Sequence, residues 1–265
     1  MLRDARTTLE HPSCQRLVQD RGVTPTDLRA RLRANPVFSE DSEDCEALTT
    51  LLQESRLESY TAGELVLEEG EPAAQVYALL DGAVRVYHVS DSGEEVVLKL
   101  FLAPAIFGEA ESFAGIPFIE NVRATEASRA LVIPLATLVA YLERRPRAAI
   151  LLLADVAQRL AIAAYDEKSL AFHPITMRLA NHLLDLAGLC PPGEAPLVAA
   201  SQEQLATSIA ATRRSVAKDI ITWQQEGILE REAGGYRVRD LAALRRYADR
   251  ARLALTHRIR PRKVD

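Results

Sequence analysis

At Pro134 the spacing of apolar residues changes from that of strands to that of helices, so the chain must combine a sheet-built part with a helical part. Upstream, short apolar runs follow one another: Leu65-Val66-Leu67, 76–80, 84–89, 96–101 and 130–133. Turn residues separate them at Gly63, Gly70, Asp81-Gly82, Asp91-Ser92-Gly93 and Pro104. Strands recurring every roughly 8–12 residues predict an antiparallel sandwich or jelly-roll barrel over 57–134. Asp81-Gly82 and Ser92-Gly93 suit tight hairpins, because such turns need a residue that tolerates positive φ.

Downstream of Pro134 the period is helical. A short helix is expected over 135–142, an interruption at Arg145-Pro146, and a long helix over 146–171. Along the long helix, Leu153, Ala157, Leu160 and Ala164 alternate three and four residues apart, which is the spacing of a coiled-coil seam. A helix packed only on its own barrel is the competing account. A seam on a long helix leaving a small barrel favours a symmetric dimer. His173-Pro174 then acts as a hinge before a further helix, 175–187, and a loop at 190–194. Ahead of the barrel, residues 1–24 show no sustained period. Thr24-Pro25-Thr26-Asp27 starts a helix reaching about Arg33, Asn35-Pro36 stops it, and a second helix begins at Ser42 with Cys45, Leu48, Leu51 and Leu52 at helical spacing.

Residues 201–239 carry the most specific pattern. Ser201 is placed to cap a helix beginning at Gln202, with Leu205, Ala206 and Ile209 on its apolar face. Ala210-Ala211-Thr212 is a short turn, and 213–225 a second helix with Val216, Ile220 and Trp223 inward. Two short, tightly joined helices are the signature of a helix-turn-helix, whose second helix presents its N-terminal residues to the major groove. Arg213, Arg214 and Lys218 place three cations in its first two turns, and arginine matches the O6 and N7 acceptors of guanine. Thr212, Ser215, Ser201 and Gln202 are the neighbouring polar candidates for phosphate or base contacts. Two short strands around Gly234-Gly235 complete a wing, with Arg237 and Arg239 as candidate phosphate contacts.

Charge is distributed accordingly. Residues 173–265 hold 15 Lys+Arg against 10 Asp+Glu, while 1–172 hold 17 against 27, giving +5 and −10 around a total of −5. Only the back part is expected to meet a polyanion. Three scattered cysteines, Cys14, Cys45 and Cys190, without a CxxC, support neither a disulfide framework nor a zinc or iron–sulfur site. Asp155, Gln158 and Arg159 interrupt the apolar stretch 148–164, which argues against a membrane span, and Asp4, Glu10 and Asp20 do not suit a signal peptide. A cytoplasmic protein is expected. No P-loop, Ser/His/Asp set or metal-ligand spacing suggests an enzyme, and no cofactor is expected; for haem, His11 and Cys14, or His88, could be proposed as axial ligands, but a lone His in a polar tail is usually just a tail.

The order of elements over about 36–250 resembles the CRP/FNR (cAMP receptor protein-like) regulators. The matching segments are Phe107-Gly108-Glu109, Phe172, Arg178-Leu179-Ala180, and Gln204-Leu205-Ala206 followed by Thr212-Arg213-Arg214-Ser215-Val216. The resemblance implies an α+β chain: an extension (1–35), a cyclic-nucleotide-binding-type β jelly-roll (36–145), a dimerisation helix (146–172), a C-terminal winged helix-turn-helix (173–250) and a basic tail (251–265) containing Arg258, Arg260, Arg262 and Lys263. It also implies a dimer on a palindromic DNA operator, with RNA polymerase as a further partner and an effector of unknown identity.

In cAMP-binding members of that family, a Gly-Glu pair takes the ribose and cyclic phosphate together with an Arg-Ser pair. Gly108 and Glu109 match the first. The second falls on Phe118-Ile119 or Ile119-Glu120, which offer no cation, and the adenine-binding Thr-Ser pair falls on Ala163-Ala164. A buried phosphodiester without a charge partner is costly, so the pocket is expected to be degenerate and the regulator to use another effector or none. Where many members have Arg-Glu on the second helix, this chain has Arg213-Arg214, which implies a different operator. A cyclic-nucleotide sensor acting through a partner protein is the alternative.

Overall fold

The computed structural model describes residues 24–39, 46–89, 93, 95–188, 190 and 195–249. The expectations for Cys14, Cys45, His11, the Ser42 helix start, Asp91-Ser92, the loop at 191–194 and the tail at 251–265 lie outside them. Contacts divide the described residues into two compact units, 24–86 with 101–157 and 87–100 with 158–249.

The first unit begins with α1 (Pro25–Arg33). Thr24 caps it: its side chain accepts from the Asp27 N–H, and the Asp27 carboxylate accepts from the Thr24 backbone in return. Asn35 stops this helix and starts a 3-10 turn at Pro36–Phe38, as Asn35-Pro36 suggested. The segment is no loose extension. Leu28 and Leu32 are buried in one core with Phe38, Leu48, Leu51, Val76, Leu131 and Leu138, so the expected boundary at residue 35 cuts through a packed cluster. Arg31 reaches Asp81, which also holds Arg129 at 2.6 Å.

After α2 (Glu46–Glu54) come eight strands: β1 (Arg56–Tyr60), β2 (Leu65–Leu67), β3 (Gln75–Asp81), β4 (Ala83–Val89), β5 (Glu95–Leu102), β6 (Ala105–Phe107), β7 (Asn121–Ala124) and β8 (Ser128–Pro134). They form two four-stranded sheets, ordered β1-β8-β3-β6 and β2-β7-β4-β5, the two-sheet arrangement expected from the alternating pattern. Gly82 turns between β3 and β4 at φ +81°, and a Cβ there would stand 2.3 Å from the Ser128 Oγ. A short helix, α3 (Glu109–Ala114), interrupts the strands after Gly108.

Helix α4 (Leu135–Arg144) and helix α5 (Pro146–Phe172) fall where the period change placed them, broken at Arg145. Leu151 and Leu152 of α5 are buried, whereas Leu153 and Leu160 are 66% and 69% exposed and Ala157, Ala163 and Ala164 are exposed. By length and composition α5 would also suffice to cross a membrane, with a mean hydropathy of 1.6 over its best window. Asp155, Gln158 and Arg159 do not break its apolar character as strongly as the sequence suggested, because its alanines and leucines outweigh them.

The second unit continues with α6 (Ile175–Gly188), β9 (Leu197–Val198), α7 (Gln202–Ser208), α8 (Arg213–Gln225), β10 (Leu229–Glu232), β11 (Gly235–Val238) and α9 (Leu241–Tyr247). Its core joins Leu179, Leu183, Leu205, Val216, Ile220, Trp223, Tyr236 and Leu244. The wing is a three-stranded sheet ordered β10-β11-β9, so the expected hairpin gains a third strand.

Candidate nucleic-acid interface

Local chemistry defines both helices of the reading unit. At α7, Ser201 Oγ accepts from the Gln204 N–H at 3.1 Å and Gln204 Oε1 accepts from the Ser201 N–H at 2.8 Å, closing a capping box. Leu205, Ala206 and Ile209 anchor the helix inward. The link to α8 passes through Ala210 at φ +49°, a left-handed residue that reverses the chain in a short space. Thr212 then caps α8, accepting from the Ser215 N–H, with the two hydroxyls 2.9 Å apart.

Val216, Ile220 and Trp223 are buried on one side of α8, and the Trp223 ring meets Tyr247 of α9 at 5.4 Å. That packing fixes the helix's rotation. Arg213, Arg214 and Lys218 are left exposed, as the sequence pattern required. Arg213 lies 4.0 Å from Glu203 of α7, a loose, exposed pair. Ser201, Gln202, Glu203, Arg213, Arg231 and Tyr236 line a groove of about 480 Å³ on this unit.

Arg237 is not placed as a simple outward charge. Its guanidinium pairs in two contacts with Glu232, one at 2.7 Å, and donates to the Ala195 carbonyl at 2.6 Å. Arg239 is likewise bound to Glu230 at 2.6 Å. The Arg237 hydrogen bonds hold the Glu232 carboxyl below the usual carboxylate range. Arg231 differs: it donates to the Tyr236 hydroxyl, and its guanidinium carbon lies 4.7 Å from the Tyr236 ring centroid. Sequence reasoning missed Arg231, although its position two residues from Leu229 puts it in the inward phase of β10; that its partner is Tyr236 is decided by cross-strand pairing.

In the first unit, Gly108 sits at φ +78° before α3, and Glu109 is 1% exposed. Phe118, where the resemblance would place a phosphate-binding arginine, is 3% exposed. Its ring edge lies 3.2 Å from where a Gly108 Cβ would stand, beside Tyr77 at 3.3 Å. Tyr77 stacks on Phe107 with centroids 5.0 Å apart, Phe101 meets Phe107 at 5.7 Å, and Phe118 meets Tyr77 at 6.5 Å. An aromatic cluster therefore surrounds the Gly-Glu turn. Ile119 is exposed and Glu120 half-buried, so neither supplies a buried cation. His88 is half-buried on β4, and Ala163 and Ala164 lie on α5.

A two-sheet domain, a long helix and a winged helix-turn-helix with an exposed cationic reading helix define a transcription regulator with a DNA-binding domain. A cyclic nucleotide-binding domain family matches residues 57–145, and the Crp-like helix-turn-helix domain family matches 177–247. Over 206 residues the chain is 25% identical to the CRP-like cAMP-activated global transcriptional regulator of Mycobacterium tuberculosis, covering 76% of this chain and 92% of that protein. It is 26% identical over 170 residues to the global nitrogen regulator of Synechococcus elongatus, covering 62% and 76%. Among solved structures, a CRP/FNR-family regulator from Thermus thermophilus superposes with a TM-score of 0.56 at 25% identity, covering 72% of this chain and 97% of that one. The c-di-GMP responsive global regulator of Xanthomonas campestris shares the fold, with a TM-score of 0.60 at 20% identity, covering 74% and 99%. The chain belongs to the CRP/FNR family, a family of transcription regulators rather than enzymes.

Proposed function

We propose that this chain is a cytoplasmic, homodimeric regulator that reads a palindromic operator through α8, and that its barrel does not respond to cAMP. The exposed trio Arg213, Arg214 and Lys218, fixed in rotation by Val216, Ile220 and Trp223, carries the reading. Arg213 and Arg214 suit bidentate contact with guanine. Thr212 Oγ accepts from the Ser215 N–H at the cap, and because one of the Thr212 and Ser215 hydroxyls donates to the other, one hydroxyl proton of the pair is left for donation to DNA. Ser201 and Gln202 flank the same groove. Self-association is supported by exposed Leu153, Ala157, Leu160 and Ala164, spaced as a seam on α5. RNA polymerase is the expected partner at a promoter.

The sensor argument rests on Phe118. Relatives are named for cAMP activation and c-di-GMP response, but a cyclic phosphate entering beside Gly108 would meet apolar rings in place of a cation. The desolvation of that charge opposes binding. Ala163 and Ala164 add no hydrogen-bonding side chain. Another effector, or none, fits better.

Selection of bound sequences from a random DNA pool, without ligand, tests this function. Enrichment of a palindrome with half-sites about one helical turn apart is expected. No enrichment would sink the ligand-independent form. Calorimetric titration with cAMP should show no tight binding; nanomolar binding would overturn the reading of Phe118.

A further inference from the structure

The wing carries three arginines, and their partners differ. Arg237 is held by Glu232 and the Ala195 carbonyl, and Arg239 by Glu230, with Glu232 at 3.8 Å. Both guanidinium groups are engaged by acids of the wing itself, Arg237 in a half-buried pair and Arg239 in an exposed one. Arg231 has no acidic partner among the described residues. It is exposed, and it stands across from Tyr236 in the β10–β11 register.

Tyr236 is 1% exposed, so the ring against which Arg231 rests is anchored in the core of the unit. Contact with that ring and its hydroxyl holds the guanidinium in place at little further ordering cost. One N–H goes to the hydroxyl, and a guanidinium has five. Both Arg231 and Tyr236 open onto the groove that Arg213 and Ser201 also line. Glu203 sits there too, 4.0 Å from Arg213, and its carboxylate disfavours an anion at that end.

We propose that Arg231, positioned by Tyr236, is the wing's contact to a DNA backbone phosphodiester, and that Arg237 is a structural strut. The proposal rests on the DNA-reading function argued above and replaces Arg237 as the wing's phosphate contact. A phosphodiester is the class of ligand that a pre-positioned guanidinium with free donors recognises best. Because a phosphate carries no base identity, the contact adds affinity without sequence preference.

The test is fluorescence anisotropy of the full-length protein with two labelled duplexes, one of random sequence and one recovered by selection, each across a salt series. Arg231→Ala should weaken both by the same factor, roughly tenfold or more, and flatten the plot of log K against log salt by about one unit per wing. Arg231→Lys should restore the slope while recovering only part of the affinity. Tyr236→Phe should keep the slope and weaken both duplexes modestly. Arg237→Ala should leave the slope unchanged and lower the melting temperature. If Arg231→Ala keeps the wild-type slope on both duplexes, with wild-type secondary structure by circular dichroism, the assignment is wrong. Loss of slope in Arg237→Ala alone would mean that the two arginines have been exchanged. A wild-type protein that binds neither duplex would refute the DNA-reading function itself, and the phosphate contact with it.

Discussion

Replacing Gly235 with alanine should damage the wing far more than replacing Gly234, although both are neighbours in one hairpin. At Gly235 an added Cβ would lie 2.1 Å from the Val198 carbonyl oxygen, 2.9 Å from its carbon and 3.0 Å from Ala199 Cα. A carbon–oxygen contact normally settles near about 3.3 Å, so β9 must retreat by about an ångström. That strand holds β11 through only two paired positions, Val198 with Tyr236 and Leu197 with Arg237, beside the 2.9 Å bond from the Val238 N–H to Pro196. Losing part of this ladder at about 1 kcal/mol per hydrogen bond, or keeping it under strain, comes to about 2–4 kcal/mol. Gly234 has φ +83° but nothing within 4 Å of its would-be Cβ, so alanine there costs only left-handed strain of about 1 kcal/mol. Trp223 is the single tryptophan and is buried in the same core, so urea unfolding followed by its fluorescence reports this unit directly. A midpoint loss for Gly235→Ala at least twice that for Gly234→Ala is expected. Equal or reversed losses would refute the close approach of β9 to β11.

Arg213→Ala should relax operator specificity at one base position, by about 1–3 kcal/mol of discrimination, read by repeating the pool selection with the variant. Leu160→Glu should convert a dimer to a monomer in sedimentation equilibrium, since the side chain is 69% exposed on the proposed seam; an unchanged mass would remove α5 from the interface. The Arg237–Glu232 pair depresses the Glu232 carboxyl, so its stabilisation is full above the unfolded value near 4.5 and is lost as pH falls through the lower folded value. Glu232→Gln should remove that acid-side step from the stability–pH profile. High salt should weaken it in the wild type, because the pair is half-buried and solvent still reaches it.

Much of the helical architecture is legible in single stretches of sequence. Thr24, Ser201 and Thr212 cap helices where they stand, because a capping side chain bonds to the backbone two or three residues away. Pro146 starts α5, and the spacing of Val216, Ile220 and Trp223 sets which face of α8 is buried; both depend on covalent geometry and helical period. Hence the cationic face of Arg213, Arg214 and Lys218 follows from sequence alone.

Only tertiary structure decided the rest. Leu28 and Leu32 look like part of an extension until α1 packs against Val76 and Leu131, residues far away along the chain. Phe118 reads only as an apolar residue in its stretch of sequence, and its burial beside Tyr77 and Gly108 is set by residues far from it along the chain. In the wing, Arg231 alternates in phase with buried Leu229, while Arg237 and Arg239 alternate out of phase with buried Tyr236 and Val238; the β10–β11 register then sets Arg231 opposite Tyr236 and Arg237 opposite Glu230. Local order comes from bonds made within a few residues, whereas the partner of a strand side chain is set by a neighbour that the chain supplies from elsewhere.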